Sequence, residues 1–225
     1  MQDSPDTTAV TAGRDESGAL APTLWPTTVW QTEGLDDTSR RATGVRQDGL
    51  YSRYSNPTVA AFEQAVAELE GAESALAFGS GMGAVASVVL AFCGQGSHIV
   101  AQNNLYGATL SFLQGPCRRF GIETTFVDPS VAGSFASAVQ PGRTMLVIAE
   151  TPSNPRLAVT DLSEIGRIPG PFTVVDSTMA TPAISGARAC DPPACTQSFS
   201  SSRIASAATG PRAIHTTRAN AARAI

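Results

Sequence analysis

The sequence contains no lysine. Its 225 residues include 15 basic residues, and every one of them is an arginine. A side-chain amine is therefore missing as a nucleophile, as a general base and as a Schiff-base former, because the permanently charged guanidinium of arginine serves none of these roles. Chemistry that needs a lysine amine from this chain is excluded, whereas roles that need only positive charge stay open.

Metal ligands and long apolar runs are also scarce. The four cysteines, Cys93, Cys117, Cys190 and Cys195, form no CxxC pair, and there are two histidines. This spacing predicts scattered reduced thiols and no metal site. Apolar stretches such as residues 84–92 are too short to span a bilayer, and the acidic N-terminus lacks a signal pattern. With a net charge of −4, we expect a cytoplasmic protein that binds neither membranes nor nucleic acid.

Charge is unevenly distributed along the chain. Residues 1–186 hold 10 arginines and 18 acids, whereas residues 187–225 hold 5 arginines and one acid. The second segment is rich in alanine, serine and threonine, so it offers little apolar area to offset the entropy of ordering. Together with weak periodicity at the start, this predicts an extended arm (1–56), a large domain (57–186) and a divergent, poorly ordered tail (187–225).

The large domain alternates between helical and strand patterns. Pro57 and Gly71 are typical of the first residue and the C-terminal cap of a helix. Apolar runs predict strands, and longer periodic stretches predict helices. We predict strands at residues 74–78, 98–101, 124–127, 145–149 and 172–175, and helices at 84–92, 107–120, 134–139 and 161–168. Strands that are apolar throughout indicate a parallel sheet covered on both faces, which is a doubly wound α/β fold with ligands at the carboxyl ends of the strands.

A glycine-rich turn follows the first predicted strand. Gly79, Gly81 and Gly83 alternate with Ser80 and Met82. Such a turn at the start of a helix exposes backbone N–H groups where the helix dipole favours an anion, so it is typical of a phosphate site. A tight turn whose glycines serve packing alone is the alternative. A dinucleotide site would need an acid at the end of the next strand, and Gln102 stands there instead.

Polar and aromatic residues follow other strands. Asp176 directly follows a strand and could keep a ring nitrogen protonated, or could cap a turn. Residues 150–155 place an acid and an amide in a proline-rich loop, which could equally be a rigid strand exit. Tyr106 could stack on a planar ligand or lie in a rim. Arg53, with Tyr51 beside it, could bind a phosphate or be solvated.

Five ordered motifs resemble one family. They are YSRYSNPT (51–58), LEGAESALAFGSGMGA (69–84), NLYGAT (104–109), ETPSNP (150–155) and VVDSTMATP (174–182). Together they resemble the Cys/Met-metabolism enzymes that use pyridoxal 5'-phosphate (PLP), a group that includes cystathionine γ-synthase, cystathionine γ-lyase and methionine γ-lyase. The resemblance implies the large domain of an aspartate-aminotransferase-like, fold type I transferase, a mainly parallel sheet with helices on both faces, and a missing C-terminal domain.

The resemblance also implies roles for individual residues. Gly81 and Met82 would donate backbone N–H groups to the PLP phosphate, and Tyr106 would stack on the ring. Asp176 would pair with the ring nitrogen, and Asn154 would lie near the phenolic oxygen. Ser198 and Ser200 would help to hold the phosphate, and Tyr51 and Arg53 would reach it in a neighbouring subunit. The partners implied are a small amino-acid substrate and a second copy of the chain, in a homodimer or tetramer.

The family's catalytic lysine is absent. By the family's spacing, the lysine should follow Asp176 by 25 residues, and that position holds Ser201. A hydroxyl forms no Schiff base with PLP and is a far weaker base than an amine. Two hypotheses follow. The chain is a γ-elimination or γ-replacement enzyme by ancestry, acting on sulfur amino acids or O-acyl homoserine, or it is a non-catalytic remnant from a frameshifted or truncated gene. We expect it to be inactive as written.

Overall fold

The structure is a computed structural model that describes residues 4–14, 17–43 and 49–180 and the backbone of Arg212–Thr216. The chain divides into two compact units, Met1–Ala77 and Phe78–Ile225. Among the described residues, none of the helices combines the length and the apolar character that a membrane crossing requires.

The N-terminal unit contains three helices, α1 (Pro5–Thr11), α2 (Leu35–Ala42) and α3 (Pro57–Glu70). The third confirms the helix predicted from Pro57 and Gly71, since Gly71 ends it with a left-handed φ of 64°. The first two lie in the arm that was expected to be extended. Their signals are local rather than periodic: α1 starts at a serine cap followed by proline, and in α2 Asp37 binds two arginines one turn later.

The strand predicted at residues 74–78 is wrong. No described strand covers this segment, and Leu76 is 65% exposed. The backbone N–H of Ala77 donates instead to the side chain of Glu63 at 2.8 Å. An apolar run becomes a strand only where it pairs with a neighbouring strand through backbone hydrogen bonds, and none of the described strand pairings includes residues 74–78.

The C-terminal unit is built on a parallel sheet. Its strands are β1 (His98–Gln102), β2 (Glu123–Val127), β3 (Thr144–Glu150), β4 (Phe172–Asp176) and β5 (Arg212–Thr216), in the order β2-β1-β3-β4-β5. Its helices are α4 (Gly81–Phe92), α5 (Gly107–Phe112), α6 (Ser134–Ala138) and α7 (Leu162–Gly166). All four strand pairings are parallel. The predicted α/β class is confirmed, but the sequence pattern predicts no strand at the position of β5.

The helix predicted at residues 107–120 is not uniform. After α5, residues Leu113–Cys117 form a π-helical turn that contains Pro116. Proline has no amide hydrogen and its ring collides with the carbonyl four residues earlier, so a regular α-helix cannot continue through it. The wider turn accommodates the proline and keeps Leu113 and Cys117 in the core.

Two apolar clusters cover the two faces of the sheet. Ile99 and Leu146 belong to one cluster. Their chain neighbours Val100 and Val147 belong to the other, with Phe135 of α6. Side chains alternate between faces along a strand, so burial on both sides explains why β1 and β3 read as continuous apolar runs.

Candidate functional site

The carboxyl ends of β1, β3 and β4 meet at an open cleft. Register pairs Glu150 with Asp176 across β3 and β4, and Tyr106 follows β1. The cleft is lined by Gly81, Met82, Val85, Tyr106, Glu150, Asn154, Asp176, Thr178 and Met179. The space inside the cleft is about 390 Å³, which includes its mouth open to solvent. The described residues therefore form one wall of a site rather than a closed cavity.

The helix α4 begins at the cleft. Its cap is Ser80, whose Oγ accepts a hydrogen bond from the N–H of Gly83 at 3.0 Å. A Cβ on Gly83 would lie 3.1 Å from that Oγ, so glycine suits this tight cap. Gly81 and Met82 are the first residues of the helix, where backbone N–H groups have no intrahelical partner and the helix dipole attracts an anion.

Asp176 is held by the turn that follows β4. Its Oδ1 accepts hydrogen bonds from the N–H of Thr178 at 3.0 Å and from the hydroxyl of Thr178 at 2.5 Å. No described residue donates to the other oxygen, Oδ2. Asp176 can therefore cap the turn and still bind a ligand. Its Oδ1 holds the turn, while Oδ2 stays open to a cationic or N–H donor in the cleft.

Glu150 is a buried acid at the end of β3, with 3% of its surface exposed. Its Oε2 accepts the N–H of Tyr106 at 2.5 Å, and its Oε1 accepts the N–H of Asn154 at 2.7 Å. Burial raises the pKa of this carboxyl, the two N–H donors lower it, and the charge of Asp176 raises it further. The Glu150 carboxylate therefore links the loop that carries the Tyr106 ring to the loop that carries the Asn154 side-chain amide.

Gln102 is fully buried at the end of β1 and bonds to Glu150, which lines the cleft. Its Nε2 donates to the side chain of Asn104 at 2.8 Å and to the backbone carbonyl of Glu150 at 2.9 Å. Its Oε1 accepts the hydroxyl of Thr160 at 3.1 Å. The residue that argued against a dinucleotide site thus ties β1 to β3 and to the loop before α7.

The structure brings five of the predicted site residues to this cleft, namely Gly81, Met82, Tyr106, Asn154 and Asp176. Tyr51 and Arg53 belong to the N-terminal unit. There Tyr51 pairs with Val29 in an isolated antiparallel bridge and packs its ring edge-on against Tyr54, with centroids 6.1 Å apart. Ser198, Ser200 and Ser201 lie outside the described residues.

Two polar residues of the cleft, Glu150 and Thr178, were not among the predicted site residues. Glu150 stands at a strand end and Thr178 lies in the turn after Asp176, so both sit inside motifs that were singled out. Their positions were a usable signal, but an acid or a threonine in a loop has many ordinary uses. Within the described parts of the chain, no group of three or more histidine, cysteine or acidic side chains is placed to hold a metal ion.

This arrangement defines an α/β protein with a ligand cleft at the carboxyl edge of a parallel sheet, formed by a glycine turn at a helix start, an aromatic ring and a carboxylate. The chain matches the family described as Cys/Met metabolism PLP-dependent enzyme over residues 6–191. The chain belongs to this family, and the predicted resemblance is confirmed.

Individual relatives agree with the family. The chain is 36% identical over 184 residues to an O-succinylhomoserine sulfhydrylase of Pseudomonas aeruginosa, covering 80% of this chain and 45% of that protein. It is 35% identical over 182 residues to an L-methionine gamma-lyase of Fusobacterium nucleatum, covering 78% of this chain and 46% of that protein. The chain thus spans a little under half the length of these curated relatives.

Solved structures show the same fold. The metB protein of Corynebacterium glutamicum superposes with a TM-score of 0.71 at 32% identity, covering 80% of this chain and 46% of that one. The metY protein of Campylobacter jejuni superposes with a TM-score of 0.72 at 26% identity, covering 80% of this chain and 45% of that one. The Campylobacter structure carries N'-pyridoxyl-lysine-5'-monophosphate. The C-terminal unit therefore has the large-domain fold of PLP-dependent enzymes.

Proposed function

We propose that this chain binds pyridoxal 5'-phosphate in the cleft at the carboxyl ends of β1, β3 and β4. The observation that carries the proposal is the meeting there of an anion-attracting helix start, a ring and a carboxylate with one open oxygen. These groups suit the phosphate, the planar ring and the ring nitrogen of PLP, respectively.

Each cleft residue has a distinct part in this proposal. The N–H groups of Gly81 and Met82 donate to the phosphate, and Tyr106 packs on the ring. Asp176 holds a proton at the ring nitrogen through Oδ2, and Asn154 lies toward the phenolic oxygen. When bound in enzymes of this kind, PLP supplies an electron sink for charge that develops on an amino-acid substrate.

Further residues complete the proposed site from outside the cleft. Ser198 and Ser200 add hydroxyl donors to the phosphate. Tyr51 and Arg53 reach the phosphate of a neighbouring copy, so the proposed assembly is a homodimer or a tetramer.

The ancestral reaction is γ-elimination or γ-replacement. The relatives named above act, by their names, on O-succinylhomoserine and on L-methionine, so we assign a sulfur amino acid or an O-acyl homoserine as the substrate class. For the chain as written we propose binding without catalysis. The absence of lysine favours this, since no side chain here can attach PLP covalently or shuttle a proton as an amine.

The experiment is a PLP titration by equilibrium dialysis. We expect the wild-type chain to bind PLP, and we expect Asp176→Asn to bind it at least about tenfold more weakly, because a charge-assisted hydrogen bond is worth about 1.5–3 kcal/mol. The matched control is Asp161→Asn, since Asp161 caps α7, does not line the cleft, and asparagine is an equally good cap. A wild-type chain that does not bind PLP, or an Asp176→Asn chain that binds equally well, would refute the proposed function.

A further inference from the structure

Glu150 joins two loops that are far apart in sequence. Its two carboxylate oxygens each accept one backbone N–H, from Tyr106 at 2.5 Å and from Asn154 at 2.7 Å. Both donors belong to residues that line the cleft. The position of the Glu150 side chain therefore determines where the ring of Tyr106 and the side-chain amide of Asn154 lie.

This arrangement is an unfavourable place for a charge. Glu150 is buried beside Asp176, and burial together with that neighbouring charge raises the pKa of its carboxyl. None of the arginines that the structure describes forms an ion pair with it. A buried carboxylate without a cationic partner is a weak source of stability, so fold stability alone gives a poor reason for an acid here.

Both oxygens of an ionised carboxylate accept hydrogen bonds, and a neutral amide has one acceptor oxygen and one donor nitrogen. Two backbone N–H groups that converge on one side chain can therefore be satisfied together by glutamate and only singly by glutamine. The positions of these two N–H groups therefore favour an ionised carboxylate on a side chain as long as that of glutamate.

We propose that Glu150 is a positioning residue, which fixes the loops of Tyr106 and Asn154 so that the ring and the amide face a bound PLP. The inference rests on the proposed function for its consequence, but the bracing itself is a property of the ligand-free chain. Glu150 acts through Tyr106 and Asn154 and needs no contact with the ligand.

The test compares Glu150→Gln with Glu164→Gln. Glu164 also accepts one backbone N–H, from Gly133 at 2.7 Å, and it does not line the cleft. Amide hydrogen exchange without PLP is the first readout. We expect exchange at Tyr106 and Asn154 to rise at least about tenfold in Glu150→Gln, with no such change in Glu164→Gln or at the amides of β1. Unchanged protection at both sites, or an equal rise throughout the unit, would overturn the proposal.

PLP affinity and the visible circular dichroism of bound PLP are the second readout. We expect Glu150→Gln to weaken binding about tenfold and to reduce the dichroic band, because the stacked ring is no longer fixed. If the wild-type chain binds no PLP, the proposed function fails. The exchange experiment still shows whether Glu150 fixes the loops of Tyr106 and Asn154. If PLP binds to wild type and Glu150→Gln with the same affinity and band, the positioning role fails while the proposed function stands.

A second variant, Glu150→Asp, keeps the proposal testable if Glu150→Gln does not fold. Glu150→Asp keeps the charge but is shorter by one methylene group, so it cannot reach both amides. We expect it to fold and to show raised exchange at Tyr106, at Asn154 or at both. If neither variant folds, the carboxylate is required for the fold itself and the proposal of a positioning role is refuted.

Discussion

Replacement of Gln102 by leucine tests the buried hydrogen bonds that connect this side chain to Asn104, Glu150 and Thr160. Leucine has nearly the same volume, so the change removes hydrogen bonds without opening a large cavity. Three bonds are lost, to the side chain of Asn104, to the carbonyl of Glu150 and from the hydroxyl of Thr160. The predicted outcome is a large loss of stability in a variant that is more apolar than the wild type.

The size of the stability loss depends on which hydrogen-bond partners of Gln102 stay buried in the variant. Thr160 is 4% exposed, so its hydroxyl is left without a partner and without access to water, which costs about 1–3 kcal/mol. Loss of the bond to the Glu150 carbonyl adds about 1 kcal/mol. Asn104 is partly exposed and regains water. We therefore expect the free energy of unfolding to fall by about 2–4 kcal/mol.

Urea denaturation measures the effect, with Gln64→Leu as the control. Gln64 lies on the exposed face of α3 and bonds to Glu68, so its replacement should change stability by no more than about 0.5 kcal/mol. Adding Thr160→Val to Gln102→Leu removes the orphaned hydroxyl. The double variant should lose at least about 1 kcal/mol less than the sum of the single losses. A loss below about 0.5 kcal/mol for Gln102→Leu, or strict additivity, would refute the reasoning.

Two further predictions concern other buried groups. The ring nitrogens of His98 lie 2.8 Å from the hydroxyls of Thr144 and Thr125, and burial lowers the pKa of His98 from 6.5. The unfolded chain therefore binds more protons below that value, and stability falls as the pH drops through it. Urea midpoints at several pH values should show this fall, and a fall of the same size in His98→Gln would contradict it. Burial also raises the pKa of Cys93 to about 12 and that of Cys117 to about 11. Both thiols should resist iodoacetamide in the native chain at neutral pH and react after unfolding, as peptide mass spectrometry can show, so labelling of either in the native state would contradict the structure.

Continuous apolar runs predict the central strands because β1 and β3 are buried on both faces. Strands β1, β3 and β4 each continue one residue past the predicted end, to the polar residues Gln102, Glu150 and Asp176, respectively. A hydrophobic pattern does not include a polar residue, so it ends these strands one residue too early. The strand order depends on contacts between distant segments, which no local pattern encodes. The run at residues 74–78 fails for the same reason, because only a pairing partner turns such a run into a strand.

Motifs at the strand ends predict the main groups of the cleft, because the carboxyl ends of parallel strands share one edge. What the motifs do not reveal is how those groups are held. The bond from Tyr106 to Glu150 joins residues 44 positions apart, and the network of Gln102 reaches Thr160 across 58 positions. Such long-range hydrogen bonds become visible only when the backbone has been placed in three dimensions.

The most direct test of the account is borohydride reduction of the chain in the presence of PLP, followed by unfolding, dialysis and mass analysis of the peptides. The account predicts reversible PLP binding with no covalent PLP on any side chain of the wild type, because no lysine is present. Adduct at the N-terminal α-amino group alone is compatible with this. The account further predicts that Ser201→Lys gains an adduct at residue 201. A covalent adduct on a side chain of the wild-type protein would contradict the account, and so would a Ser201→Lys chain that binds PLP but gains no adduct at that position.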